Sequence, residues 1–282
     1  MTPYLLTLLA MLAFAANSVL CRLALVEHNG ITSIDAASFT AVRLVSGAVV
    51  LAILVLLQKH PFKRQHLNPI SALMLFTYAI CFSFSYINIA AGTGALILFG
   101  SVQLSMIMFG LRKGERPGYL AWTGILFAFA GLIYLVLPGI SAPPLTSAIL
   151  MMCAGVAWGV YSLRGRGTSN PLIATCWNFI ATLPLVLLMY LVFHSDTHLS
   201  QKGILLAILS GALASGIGYA IWYKALPFLT ATQAATVQLT VPIIAAIGGI
   251  VFLSEQISLR LVLASIAVLG GVYLTIKPAK TD

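Results

Sequence analysis

Ser101-Val102-Gln103-Leu104-Ser105 returns as Thr236-Val237-Gln238-Leu239-Thr240, 135 residues further along a chain of 282. Both copies sit inside long apolar segments, and the same offset lays Phe84 on Tyr219 and Ala90 on Ala225. Beyond the motif the offset becomes 140, pairing Glu115 with Glu255, Gly131 with Gly271 and Pro138 with Pro278. A repeat of this size means one structural unit written twice.

Composition says what kind of unit it is. The chain is 60% hydrophobic and 7% charged, with a mean hydropathy of +1.03. A soluble domain carries about 25% charged residues because it needs a polar skin. This chain has no material for one, so it reads as an all-α integral membrane protein. The net charge of +9 comes from cations scattered singly between apolar runs, which are topology signals and no nucleic-acid footprint. Cys21, Cys81, Cys153 and Cys176 lie in apolar segments without CxxC or Cys/His spacing. They read as small buried hydrophobes, with no disulfide, metal or cofactor expected. Ala13-Phe14-Ala15 looks like a signal-peptidase site, but no positive residue precedes the apolar run before it. The first segment is therefore expected to stay as a helix.

Crossing a bilayer takes about 20 apolar residues. Breaks at charges, prolines and glycines leave ten candidate helices, near 3–26, 35–58, 69–90, 92–112, 118–138, 143–163, 171–193, 202–224, 230–253 and 259–277. They lack the alternation of strands and are too long for them. With both termini inside, Lys59, Lys63, Arg64, Arg112, Lys113, Arg116, Arg164, Arg166, Lys224, Lys277 and Lys280 all face the cytoplasm. The other side keeps Arg22, Lys202 and Arg260 near its boundary, which is the positive-inside asymmetry. Five helices per half force the second half into the membrane upside down. The expected fold is therefore ten transmembrane helices in a five-plus-five inverted-topology repeat, 1–138 and 143–282, a design that places a binding site between the halves near the midplane.

Ala225-Leu226-Pro227, the stretch from Ala231 to Ala235, Pro242, Gly248 and Glu255 resemble the closing half of EamA-domain proteins of the drug/metabolite transporter superfamily. Arg43, Trp158 and Gly270-Gly271 fit the same pattern. The resemblance implies helices 3, 4, 8 and 9 around a central cavity, helices 5 and 10 at the periphery, and export or exchange of small metabolites. The first half departs from the pattern. It has no proline to match Pro242, and Leu111-Arg112-Lys113-Gly114-Glu115 ends helix 4 early.

Arg43 is the most informative single residue. It lies eight positions after Asp35, which puts it roughly 12 Å into the membrane at the helical rise. A cation at that depth faces the bundle interior or a watery cavity. It reads either as the counter-charge for a substrate anion or as a structural arginine satisfied by carbonyls or by Thr40 and Ser46. Arg22, five residues from Glu27, is placed to snorkel outward. All six acids and all five histidines lie in loops or at helix ends, so no buried carboxylate is available to trade a proton for a cationic drug.

The repeated motif has two faces, since Ser101 and Ser105, like Thr236 and Thr240, are four apart and stack on one side of a helix. Gln103 and Gln238 point to the other side, and the sequence leaves open which side lines a cavity. Pro242 frees the carbonyl of Gln238, and a kink is expected there. Gly211, Ala214, Ser215 and Gly218 read as a close helix crossing. The candidate cavity residues are Asn17, Arg43, Ser101, Ser105, Trp158, Tyr219, Thr236 and Thr240.

The expected function is a secondary carrier in a bacterial inner membrane. It moves small neutral, zwitterionic or anionic metabolites such as amino acids, outward, by alternating access. Efflux of cationic drugs or quaternary ammonium compounds, and a non-transporting sensor or scaffold, are the alternatives. The acids are too scattered for catalysis. The expected partners are a small-molecule substrate and membrane lipid, with no nucleic acid; the oligomeric state is left open, a monomer included.

Overall fold

Lipid makes the first structural choice. A backbone with no water around it must satisfy its own N–H and C=O groups, and an apolar chain does so by coiling into helices. The computed structural model describes residues 2–27, 32–58, 67–112, 114, 118–139, 142–165, 168, 170–193, 197–229 and 237–276. Among them α1 spans Pro3–Leu25, α2 Ala36–Leu57, α3 Pro69–Tyr86, α4 Ala91–Arg112, α5 Tyr119–Val136, α6 Leu145–Gly165 and α7 Pro171–Phe193. The eighth helix, α8, runs Gln201–Phe228, followed by α9 at Thr240–Leu253 and α10 at Leu259–Ile276. The first eight are long and apolar enough to cross a membrane, whereas α9 and the apolar run Leu259–Thr275 of α10 are shorter. Large apolar side chains such as Val49, Leu126, Phe129, Leu188 and Ile247 stand exposed, as a lipid-facing surface requires. The chain is an all-helical, multi-pass membrane protein.

Several helix starts are capped by their own sequence. Asp35 Oδ1 accepts from Ser38 N at 2.8 Å, Asn68 Oδ1 from Ser71 N at 3.0 Å, and Ser200 Oγ from Gly203 N at 3.1 Å. Each bond satisfies a donor that the first helical turn leaves without a partner.

The end of α3 differs from the expected one for a physical reason. α3 stops at Tyr86 instead of 90, because Arg22 Nη1 takes the carbonyls of Tyr86 and Ile87 at 2.9 and 2.6 Å. The ninth segment, expected over 230–253, is helical at Val237 and Gln238, turns at Leu239 and runs on as α9 from Thr240. Pro242 therefore stands in a first helical turn, where its missing N–H has no helical acceptor to lose. Residues 230–236, with Thr236 and Gln233, lie outside the described residues.

The eighth helix carries a change of winding. It is α-helical over Gln201–Ile208, a π-helix over Leu209–Ile217, α-helical again over Gly218–Ala225, and closes with a tighter turn at Leu226–Phe228. A Cβ on Gly211 would collide with the Arg43 carbonyl and Ser46 Oγ, so α8 crosses α2 at backbone contact.

Neighbour relations cross between the halves. α1 packs on α8 and α9, while α6 packs on α3 and α4. α2 packs on α7 and α8, α7 packs on α2 and α3, and α5 pairs with α10. The α5–α10 contact is closed by glycines, since a Cβ on Gly271 would sit 2.5 Å from Ala128 N and from Gly124 O.

One end of the bundle is tied across its loops. Ser200 N donates to Ser33 O at 3.0 Å, Asp35 N to His198 O at 3.1 Å, and His198 N to Asp35 Oδ2 at 2.9 Å. At the same end Arg22 Nε meets Glu255 Oε1 at 3.3 Å, while Glu255 Oε2 accepts from Ala91 N at 2.8 Å. Arg22, expected to snorkel outward, instead joins α1 to the α3–α4 connection and to the segment between α9 and α10.

Candidate functional site

Five polar side chains from four helices form a closed ring in the bundle interior. Ser210 Oγ donates to Asn17 Oδ1 at 2.5 Å, and Asn17 Nδ2 donates to the Tyr78 hydroxyl at 3.1 Å. Arg43 Nη2 donates to the same hydroxyl at 3.0 Å, and Arg43 Nε reaches Ser215 Oγ at 3.4 Å. The ring starts and ends on the π segment of α8. Residues five apart lie on different faces of an α-helix, but the i→i+5 repeat of a π-helix stacks them. The winding change thus aims Ser210 and Ser215 together at Asn17 and Arg43.

Arg43 is 1% exposed. Among the described residues no carboxylate pairs with it, and its Nη1 has no hydrogen-bond partner. Neither hydroxyl expected to satisfy it does so: Thr40 Oγ1 donates to Ala36 O, and Ser46 Oγ to the backbone carbonyl of Arg43 itself. The guanidinium carbon instead lies 5.0 Å from the Tyr78 ring centre and 4.8 Å from that of Phe82, where the π faces offer it partial compensation.

Aromatic rings wall this cation in. Trp158 packs 4.9 Å from Tyr78, 4.9 Å from Tyr219 and 5.4 Å from Tyr161, and Phe14 stands edge-on to Trp158, Tyr219 and Trp222. Both halves of the chain contribute. The arrangement offers an unspent cationic donor, hydroxyls and apolar slabs. It holds no nucleophile beside a base, and no group of three metal-ligating side chains exists among the described residues.

A polar cavity of about 200 Å³ opens at the other end of the bundle from the Arg22–Glu255 pair, between the start of α3, the end of α6, the start of α7 and the end of α8. Asn68, Tyr161, Arg164, Thr175, Asn178 and Tyr223 line it. The Tyr161 hydroxyl lies beside Asn178 and Thr175, yet neither it nor Asn178 Oδ1 makes a well-formed hydrogen bond within the protein.

Of the expected cavity residues, the structure gathers Asn17, Arg43, Trp158 and Tyr219 into one cluster. Ser101 and Ser105 lie elsewhere, at the crossing with α6: a Cβ on Gly155 would meet Ser101 Cβ at 2.6 Å, and one on Gly159 would collide with Ser105 Oγ. The two serines also border an apolar groove of about 580 Å³ between α4, α5 and α6. Gln103, two positions from Ser101 and Ser105, faces away from α6 by helical periodicity; it is buried with Nε2 unpartnered. Thr240 is exposed and donates to Val237 O at 2.7 Å. Sequence reasoning missed Tyr78, Ser210 and Ser215 as members of the site. Tyr78 carries a signal in hindsight, a hydroxyl in the middle of an apolar helix, whereas the two serines align only through the π winding.

Tyr78 accepts from two buried donors, so Tyr78→Phe is expected to strand both. Each buried donor left unpaired costs about 1–3 kcal/mol, and the variant should lose about 2–4 kcal/mol. A thermal melt in nanodiscs reads this, and an unchanged melting temperature would show that the ring is not a stabilising network.

The sequence profile of the EamA-like transporter family matches residues 1–137 and 145–277, and the chain belongs to that family. An uncharacterized protein of Pseudomonas aeruginosa is 51% identical over 274 residues, covering 97% of this chain and 94% of that protein. A probable terminal-alkyne amino-acid exporter of Streptantibioticus cattleyicolor is 25% identical over 186 residues, covering 63% of this chain and 61% of its own. A solved crystal structure superposes with a TM-score of 0.66 at 16% identity, covering 97% of this chain and 96% of that one; the likeness is one of fold. The chain is a membrane transporter by family.

Proposed function

We propose that this transporter is a ten-span carrier, residues 1–138 and 143–282 forming two five-helix units inserted in opposite directions. It moves small neutral, zwitterionic or anionic metabolites, amino acids among them, out across a bacterial inner membrane by alternating access, with both termini in the cytoplasm. Exchanging α1–α5 for α6–α10 turns the α3–α6 contact into α8–α1 and the α4–α6 contact into α9–α1, and leaves the α5–α10 and α2–α7 pairs unchanged. That exchange rule and the two segments matched by the family profile support the repeat. The amino-acid exporter among the relatives supports the substrate class.

One observation carries the substrate reading: Arg43 is a buried cation with an unpartnered nitrogen and, among the described residues, no acid beside it, where both halves meet. The carboxylate of an incoming zwitterion or anion matches that charge. Export of cationic drugs would need a carboxylate in the same place. Among the described acids, Asp35 caps α2 and Glu255 is held by Arg22.

Counterflow in proteoliposomes tests the reading. Expected is saturable exchange of carboxylate-bearing solutes, accelerated by the same solute on the opposite side. Exchange of tetraphenylphosphonium without exchange of any carboxylate would sink it.

A further inference from the structure

The geometry points to a second solute site: the polar cavity at the ends of α3, α6, α7 and α8 is a vestibule that takes a small zwitterion before it reaches Arg43. The inference rests on the carrier reading and adds a station to it. Its volume of about 200 Å³ is below the ~300 Å³ at which drug-sized pockets begin, so it suits a solute of few heavy atoms. Directly behind its lining lie two buried polar atoms, the Tyr161 hydroxyl and Asn178 Oδ1, side by side and without a well-formed hydrogen bond among the described residues. A buried polar atom left unsatisfied is costly, and a ligand N–H or ammonium would satisfy both oxygens. At the rim Arg164 donates, among the described residues, one hydrogen bond, to Asn68 Oδ1 at 3.2 Å, out of the several a guanidinium can make. That leaves a forked donor facing the same space for a carboxylate.

The cavity is joined to the central cluster by one ring. Tyr161 lines the vestibule while its ring packs 5.4 Å from Trp158, which in turn touches Tyr78 and Tyr219. The Trp158–Tyr161 pair therefore stands between the two stations, and a solute held by its ammonium at Asn178 has its carboxylate to hand over from Arg164 to Arg43.

Calorimetric titration of the full chain in nanodiscs tests this with three probes of similar size: L-alanine carries both charges, propionate only the negative one, ethylamine only the positive one. L-Alanine is expected to bind in two phases. Tyr161→Phe and Asn178→Leu should each weaken one phase at least tenfold, and Arg43→Gln should remove the other. At the vestibule phase, propionate and ethylamine should each bind at least tenfold more weakly than L-alanine. Tyr161→Phe removes a hydroxyl alone and Asn178→Leu keeps the side-chain volume, and a thermal melt of each variant checks that the fold is retained. A single phase lost in Arg43→Gln and untouched by both vestibule variants overturns the vestibule and leaves the carrier standing. No heat from any probe, together with no counterflow, overturns the carrier reading for this solute class and the vestibule with it.

Discussion

Arg43→Gln is expected to weaken carboxylate-dependent exchange about tenfold to a hundredfold while leaving the melting temperature unchanged or higher. A hydrogen bond to a charged group contributes about 1.5–3 kcal/mol, and each 1.4 kcal/mol is a factor of ten in affinity. The opposite sign for stability follows from the missing partner. Breaking a buried ion pair destabilises because it orphans a charge, but Arg43 already stands without a counter-ion among the described residues, and removing it relieves desolvation. The change removes the bonds to Tyr78 at 3.0 Å and to Ser215 at 3.4 Å, but Tyr78 still accepts from Asn17. Arg43→Lys keeps the charge without the planar fork and should fall between the two. A structural arginine would give the reverse pattern: a melt lowered by several degrees and exchange that falls only with the amount of folded protein. Counterflow normalised to folded protein, alongside thermal melts, separates the cases.

Glu255→Gln and Arg22→Met are expected to loosen the opposite end. Both side chains of the pair are 16% exposed, so solvent screens the attraction only in part. Glu255→Gln should cost about 1.5–3 kcal/mol, the range for one charge-assisted hydrogen bond, since a glutamine oxygen can still accept from Ala91 N. Arg22→Met should cost more, because it also vacates the carbonyls at the end of α3 and leaves the Glu255 carboxylate with the Ala91 N–H alone. The double variant should cost less than the two singles together, as coupled partners require. Cys21, fully buried beside Arg22 in sequence, supplies an independent readout: maleimide labelling should speed up about tenfold when the clasp opens more often. Additive costs with unchanged labelling would mean that the pair decorates the surface without holding the end closed.

Much of this architecture is legible in the sequence because lipid imposes one dominant rule. Apolar length and punctuation place α1, α2, α4, α7 and α10 within one or two residues, and the depth of Arg43 follows from its distance to Asp35. Three things escape that rule. Arg22 finds Glu255 from 233 positions away, and no local pattern encodes such a meeting. The face of Ser101 and Ser105 is readable, but its neighbour is not: glycines on α6 claim it as a packing seam. Ser210 and Ser215 escape because a reading with α-helical periodicity puts them on different faces. The site is thus half visible, with its charges and large aromatics in view and its hydroxyl partners hidden by a winding change that the sequence LSGALASGI does not announce.

The hydrogen-bonded ring that leaves and returns to α8 has a logical consequence. If Leu209–Ile217 rewinds to an ordinary α-helix, Ser210 and Ser215 part company, and whichever of Asn17 or Arg43 loses its serine must find water or cargo instead. The two bonds cannot both survive, and neither can be relaxed by degrees. On the carrier reading proposed above, such a rewinding would make the interior a toggle with discrete settings, in which a few backbone bonds in one helix decide whether the cation at the centre is occupied by the protein or offered to a passenger.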